Sequence, residues 1–163
     1  MTNTLTNARL MRSIEFDPEN LPDPADSKNK TYLLYPSSKA IDCEEASLDS
    51  KTTVIVIDGT WIEARKIMRR NPILQQYEHL TFKKALRSNY TIRKQPKDHY
   101  LSTLESIAHF LKLNSLSAKN FPVTQNYDLL FTLFNKMVTQ QLSYFPRMQR
   151  PQTEIQPLEA LVI

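Results

Sequence analysis

The chain has 163 residues, enough for one domain with a real core and too few for two comfortable ones. Its single glycine cannot build the Gly-rich turns of Rossmann or P-loop nucleotide sites, and its single cysteine excludes an internal disulfide or a cysteine-built zinc cluster. The net charge of +4 divides unevenly: residues 1–60 carry six basic and ten acidic side chains, residues 61–100 ten and three, and residues 101–163 five and four. So strong a basic excess in the middle segment points to a polyanionic partner, nucleic acid being the commonest.

In chain order, TNTLTNARLMRS is a short amphipathic opening, and the acidic, proline-bearing stretch after it reads as a surface loop. Tyr32 to Tyr35 is a short strand stopped by Pro36, and Ala40 to Ser50 is expected to form a short helix. VIVIDGTW follows, with four β-branched apolar residues from Val54 to Ile57 running into Asp58, Gly59, Thr60 and Trp61. A run apolar on both faces suits a strand buried in a parallel or mixed sheet covered by helices. Open α/β sheets bind ligands beyond the carboxyl ends of such strands, which makes the turn at Asp58 the candidate site. Thr60 with Glu63 also has capping-box spacing, a purely structural reading of part of the same turn.

Trp61 to about Arg70 is predicted helical, with Trp61, Ala64, Ile67 and Met68 on one arc and Arg65, Lys66, Arg69 and Arg70 on the opposite one. Asn71 and Pro72 end it. His79 to Phe82 and Ser88 to Arg93 read as strands, and KQPKDHY as a loop. Leu101 to Leu113 is predicted helical with Leu104, Ile107, Ala108 and Leu111 inward, and Ser102 with Glu105 repeats the capping-box spacing. Asn126 to Tyr144 is a further helix with Leu129, Leu130, Leu133, Phe134, Met137 and Val138 expected inward. One domain over 1–145 and a disordered tail over 146–163 complete the expected organisation. No membrane span or signal peptide is legible, so a soluble, cytoplasmic protein is expected. The three histidines, at 79, 99 and 109, lack ligand spacing, and no metal site is expected.

IDGTWIEARKIMRRNPIL resembles the signature of the DTW-domain family, named for Asp, Thr and Trp, here Asp58, Thr60 and Trp61. Four further blocks are similar in order: TNARL (Thr6 to Leu10), LLYPS (Leu33 to Ser37), SNYTIRKQP (Ser88 to Pro96) and LSTLESIA (Leu101 to Ala108). The resemblance implies a tRNA-uridine aminocarboxypropyltransferase, which moves the 3-amino-3-carboxypropyl group of S-adenosylmethionine to N3 of a tRNA uridine. It also implies an α/β fold of SPOUT-like type, a mixed or parallel sheet flanked by helices, with a C-terminal trefoil knot. Family members commonly begin with a longer segment holding a first strand and often a zinc-binding cysteine cluster. This chain begins just before TNARL with Cys43 alone, so an edge strand and part of the tRNA grip are expected to be missing.

The resemblance makes Asp58 the general base, with a cofactor ligand as its other role. The cofactor-binding candidates are Leu34, Tyr35, Pro36, Ser37, Gly59, Thr60, Trp61, Ile92, Arg93, Leu101, Ser102, Thr103 and Glu105. For Ser102 and Glu105 the cap is an equal reading, and Trp61 either stacks on a base or packs the core. The RNA-binding candidates are Arg65, Lys66, Arg69 and Arg70, followed by Lys83, Lys84 and Lys94. The rival reading is a truncated or degenerate member that grips RNA without chemistry.

Overall fold

A computed structural model describes residues 8–83, 86–92, 100–117, 127–144 and 159–162. Six strands form one sheet: β1 (Arg9–Arg12), β2 (Thr31–Leu34), β3 (Ile41–Asp42), β4 (Thr53–Asp58), β5 (Glu78–Thr81) and β6 (Glu159–Val162). Their order is β1-β6-β4-β2-β5-β3, with β4, β2, β5 and β3 mutually parallel and β6 antiparallel to both β4 and β1. Three helices complete the fold: α1 (Trp61–Arg70), α2 (Thr103–Ser117) and α3 (Tyr127–Tyr144). The expected mixed α/β architecture, with a parallel sheet flanked by helices, is present.

Strand periodicity explains why the VIVI run is apolar throughout. Val54 and Val56 point to one face and pack with Tyr32, Leu80, Ile107, Ala108, Phe110, Leu111 and Leu130, a core closed by α2 and α3. Ile55 and Ile57 point to the other, with Leu33, Ala64, Ile67, Met68, Leu74 and Tyr77 under α1. Every apolar side chain of β4 therefore leaves water, each contributing about 1.5–3 kcal/mol of transfer free energy. The loop between β1 and β2 joins this second core through Phe16 and Leu21. Asn71, 3% exposed, fastens it there: its Oδ1 accepts from the Phe16 amide at 2.7 Å and its Nδ2 donates to the carbonyls of Ile14 and Ile67, both at 2.8 Å. Asn71 thus ends α1 by a tertiary bond as well as by standing before Pro72.

Four expectations are corrected. Residues 40–50 form no helix. Ile41 and Asp42 pair with β5, and beyond them Asp42 and Asp49 accept from nearby backbone amides, at Glu44 and at Lys51 respectively. Such local bonds offer the backbone an alternative to a helix. Ser88 to Ile92 is not a strand despite its alternation, because its polar groups are bound elsewhere, as described below; Arg93 lies outside the described residues. Within the stretch expected to be a disordered tail, Glu159–Val162 is strand β6, inserted between β1 and β4. The sheet therefore continues past β4, whose backbone groups pair with β6.

The fourth correction concerns α3. Leu130, Phe134 and Val138 are buried, whereas Leu129, Leu133 and Met137 are 45%, 46% and 37% exposed. One neighbouring helix, α2, covers one arc of α3, and a helix apolar over a wide arc does not announce which part of it is covered. Among the described residues no helix is long and apolar enough to cross a membrane.

Candidate functional site at the carboxyl ends of β2 and β4

Strand β4 ends at the half-buried Asp58, and the chain turns at once into α1 through Gly59, whose φ of 138° is a conformation L side chains rarely adopt. A Cβ there would also stand 3.1 Å from Glu63 Oε2, so the backbone demands glycine and the space beside it is tight. Thr60 then caps the helix: its Oγ1 accepts from the Glu63 amide, and Glu63 Oε2 accepts from the Thr60 amide at 2.6 Å. Asp58 is the last paired residue of β4, in register with Glu159 of β6, and Thr60 and Glu63 fix the direction of α1 just beyond it.

The parallel pairing of Leu34 with Val56 brings the end of β2 beside the end of β4, so LLYPS and DGTW become spatial neighbours. Tyr35 and Trp61 lie with ring centroids 6.2 Å apart, and Trp61 stacks on Tyr100 at 4.2 Å with planes 35° apart. On its other side Tyr35 meets His79 edge-on at 6.1 Å. Burial raises the Tyr35 phenol pKa above its ordinary value, and the charge of Arg65 pulls against that rise. Trp61, set by periodicity on the apolar arc of α1, is half-buried rather than core.

A second constellation organises the start of α2. Glu105 is 2% exposed, and its carboxylate accepts from Ser102 N at 2.9 Å, Ser102 Oγ at 2.8 Å, Ser88 Oγ at 2.7 Å and Asn89 N at 2.6 Å. The bond from Ser102 N, with the reciprocal one from the Glu105 amide to Ser102 Oγ at 3.4 Å, is the capping box, and the Ser102 hydroxyl adds a side-chain bond to it. The bonds from Ser88 and Asn89 tie the SNY segment to the helix, while Tyr90 packs on Phe134 at 5.8 Å. These bonds are what replace the expected strand over Ser88 to Ile92.

The family model of the DTW domain matches residues 1–142. The chain belongs to the DTW-domain family. Three curated relatives carry the name tRNA-uridine aminocarboxypropyltransferase 2. That of Macaca fascicularis is 38% identical over 97 residues, 58% of this chain and 32% of the relative. That of Mus musculus is 40% identical over 86 residues, 51% and 29% of the two chains. That of Drosophila melanogaster is 37% identical over 83 residues, 50% and 33%. The chain thus spans about a third of the length of the curated relatives it matches. No solved structure matches it.

Among the sequence-predicted residues of this DTW domain, the fold brings Tyr35, Gly59, Thr60 and Trp61 to one end of the sheet with Asp58. Leu34 and Pro36 are half-buried there and Ser37 is exposed. Ser102 and Thr103 open α2 and are half-buried, Leu101 before them is buried, and Ile92 is half-buried. Arg93, Lys84 and Lys94 lie outside the described residues. On the basic arc Arg65 and Arg69 are exposed and Lys66 is half-buried, but Arg70 donates to Glu15 at 2.7 Å. Lys83 is likewise held by Glu45 at 2.8 Å.

Sequence reasoning missed Tyr100, Ser88 and Asn89. Tyr100 carried one signal, an aromatic residue directly ahead of the LST block, whereas the partners of Glu105 lie at sequence distances that no local pattern encodes.

Proposed function

We propose that this DTW domain is a tRNA-modifying transferase that moves the 3-amino-3-carboxypropyl group of S-adenosylmethionine to N3 of a tRNA uridine. The observation that carries the reading is the DGTW turn, with Asp58 half-buried at the end of a central parallel strand, in a chain whose curated relatives are named tRNA-uridine aminocarboxypropyltransferase 2. The side chains present fit the donor: a carboxylate suits its cationic ammonium or sulfonium, and aromatic rings suit a sulfonium through cation–π attraction. When bound, S-adenosylmethionine supplies an electrophilic carbon whose leaving group departs as a neutral thioether.

Asp58 takes the N3 proton of the uridine, the N3–Cγ bond forms as Cγ–S breaks, and the electron pair leaves on the sulfur of methylthioadenosine. A thioether leaving a sulfonium needs no acid, so the protein's remaining task is alignment. In this reading Ser37 and Thr103 offer hydroxyls to the polar ends of the cofactor, and Glu105, already bonded to four donors, is a positioning residue that holds the Ser88 segment. Arg65, Lys66 and Arg69 contact phosphates. Arg70 contributes less, since Glu15 competes for it. The finer fold assignment, SPOUT-like with a trefoil knot, and a cytoplasmic location belong to the same proposal.

Asp58→Asn tests the chemistry, because it keeps shape and removes the charge. Transfer to tRNA, read as methylthioadenosine released, is expected to fall about 10²- to 10⁴-fold with unchanged melting and cofactor affinity. Full activity would sink the mechanism, and loss of cofactor binding would reassign Asp58 as a cofactor ligand. A second reading, an RNA-binding module without catalysis, is favoured by the basic arc of α1, where Arg65 and Arg69 are exposed beside the half-buried Lys66. Calorimetry with S-adenosylmethionine separates the two, since the module gives no heat at millimolar ligand.

A further inference from the structure

Four rings from four separate elements stand in a row: His79 on β5, Tyr35 just past β2, Trp61 at the first position of α1 and Tyr100 ahead of α2. The tyrosines of this row differ from the two buried ones of the core. Tyr32 and Tyr77, 1% and 4% exposed, are core residues whose hydroxyls donate to the Ser47 and Pro22 carbonyls. Tyr35 and Tyr100 are half-buried, as is Trp61 between them. Three adjacent rings that keep part of their surface in solvent, at the carboxyl ends of parallel strands, lie where open α/β sheets take ligands.

The charge around the row says which ligand suits it. Arg65, exposed and one turn into α1, acts electrostatically on Tyr35, and Arg69 continues the basic face. The 73% exposed Ile62 sits among these cations on the same arc, adding apolar surface beside them. Flat aromatic surface next to a cation is the arrangement that binds a nucleobase by stacking and the phosphate joined to it by charge.

We propose that Tyr35, Trp61 and Tyr100 form a nucleobase-stacking site, with Arg65 placed for the phosphate of the same nucleotide where the base belongs to RNA. The proposal deepens the transferase reading and rests on it for the two sources of a base, the adenine of the cofactor and the uracil of the RNA.

Trp61 is the only tryptophan of the chain, so its fluorescence reports this site alone. The full chain is titrated with methylthioadenosine, a base without phosphate, with uridine 5′-monophosphate, and with ribose 5-phosphate, a phosphate without base. Saturable quenching by at least one of the first two, and none by the third, is the expected result. Tyr100→Leu should weaken the quenching ligand about tenfold or more, and Tyr100→Phe should retain it.

The arms separate the sources. Quenching by methylthioadenosine that is unaffected by Arg65→Ala assigns the site to the adenosine end of the cofactor. Quenching by the uridine nucleotide that Arg65→Ala weakens assigns it to the RNA base. If neither ligand quenches the wild-type chain, or ribose 5-phosphate quenches equally, the rings are packing alone and the proposal falls. Failure of the transferase reading looks different: no methylthioadenosine is released from tRNA reactions, while quenching persists. Conversely, transfer by Tyr100→Leu with unchanged KM for both substrates would overturn the stacking site and leave the transferase reading standing.

Discussion

Two helices of this domain begin with the same four-residue device, and the fold uses it in two ways. At α1, Thr60 and Glu63 bond each other's backbone amides, and the half-buried Glu63 serves its own helix. At α2, Ser102 and Glu105 do the same, but Glu105 is buried and also accepts from Ser88 and Asn89, more than a dozen residues away in sequence. A cap that ends in solvent is a local stabiliser. The same cap with a buried carboxylate is a joint between segments, because its removal takes the acceptor from four donors that converge on one 2% exposed side chain.

The largest expected effect follows from that difference. Glu105→Ala leaves the Ser88 hydroxyl, the Asn89 and Ser102 amides and the Ser102 hydroxyl without their acceptor, and should cost roughly 3 kcal/mol, or about 10 °C in melting temperature. Glu63→Ala should cost about 1 kcal/mol or less, the ordinary range of a solvent-accessible cap. Thermal unfolding of the two variants side by side checks the contrast, and equal losses would erase it. If Glu105 organises the Ser88 segment for function, its variant should also lose tRNA transfer by more than its lowered stability explains at a temperature where it is fully folded.

Gly59 comes next, and it shows that the turn before α1 carries its demand in the backbone rather than in burial. Gly59→Ala must hold φ near 138° and push a Cβ against Glu63, so a loss of about 1–3 kcal/mol is expected. Combining it with Glu63→Ala removes the 3.1 Å contact with Oε2 but keeps the 3.3 Å contact with the Cβ of residue 63, and it leaves the dihedral as it was. The double variant should therefore recover part of the loss but not all of it, and complete recovery would show that the Oε2 contact, not conformation, sets the cost.

How much of this was legible in the sequence depends on how local the cause is. The β4 strand, the bounds of α1, its stop at Asn71 and both capping boxes were readable, because each rests on neighbours within one helical turn or on strand alternation. The segment 40–50 misled because Asp42 and Asp49 bond nearby amides, and Ser88 to Ile92 because its alternation is shared by a strand and by a loop pinned by Glu105. Strand β6 was invisible within a polar, proline-bearing tail, since only the backbone of β4 and β1 gives Glu159–Val162 a reason to extend. At the site, Asp58 and its turn were legible, and family resemblance named Tyr35 and Trp61. Tyr100 joins them through a tertiary contact.

The two cap hydroxyls sharpen the comparison at smaller scale. Thr60→Ala should cost about 1 kcal/mol, whereas Ser102→Ala should exceed it, because the Ser102 hydroxyl both accepts from the Glu105 amide and donates to the Glu105 carboxylate. Chemical denaturation with a common m value resolves a difference of that size. If Thr60→Ala proves the costlier, the tertiary role assigned to the α2 box is wrong.

The smallest expected effect is a pH dependence on the α2 side. His109, on α2, packs edge-on against Phe131 at 4.9 Å and against Phe82 at 6.3 Å. Burial holds its pKa below the ordinary value of 6.5, with Glu105 opposing and Lys112 reinforcing that shift. The fold therefore favours the neutral ring. The stability this represents is present above pH 6.5 and is lost as pH falls through the depressed folded value, because the unfolded chain binds the proton more readily. Melting temperature should accordingly decline on acidification below pH 6.5, and His109→Gln should flatten that part of the profile. Glu105→Gln acts in the opposite sense, since removing the carboxylate leaves burial and Lys112 unopposed and lowers the His109 pKa further, to be read from the histidine ring resonances by NMR titration. An unmoved titration in that variant would show that the Glu105 charge does not reach His109, and the buried joint would then be electrostatically as local as the cap of α1.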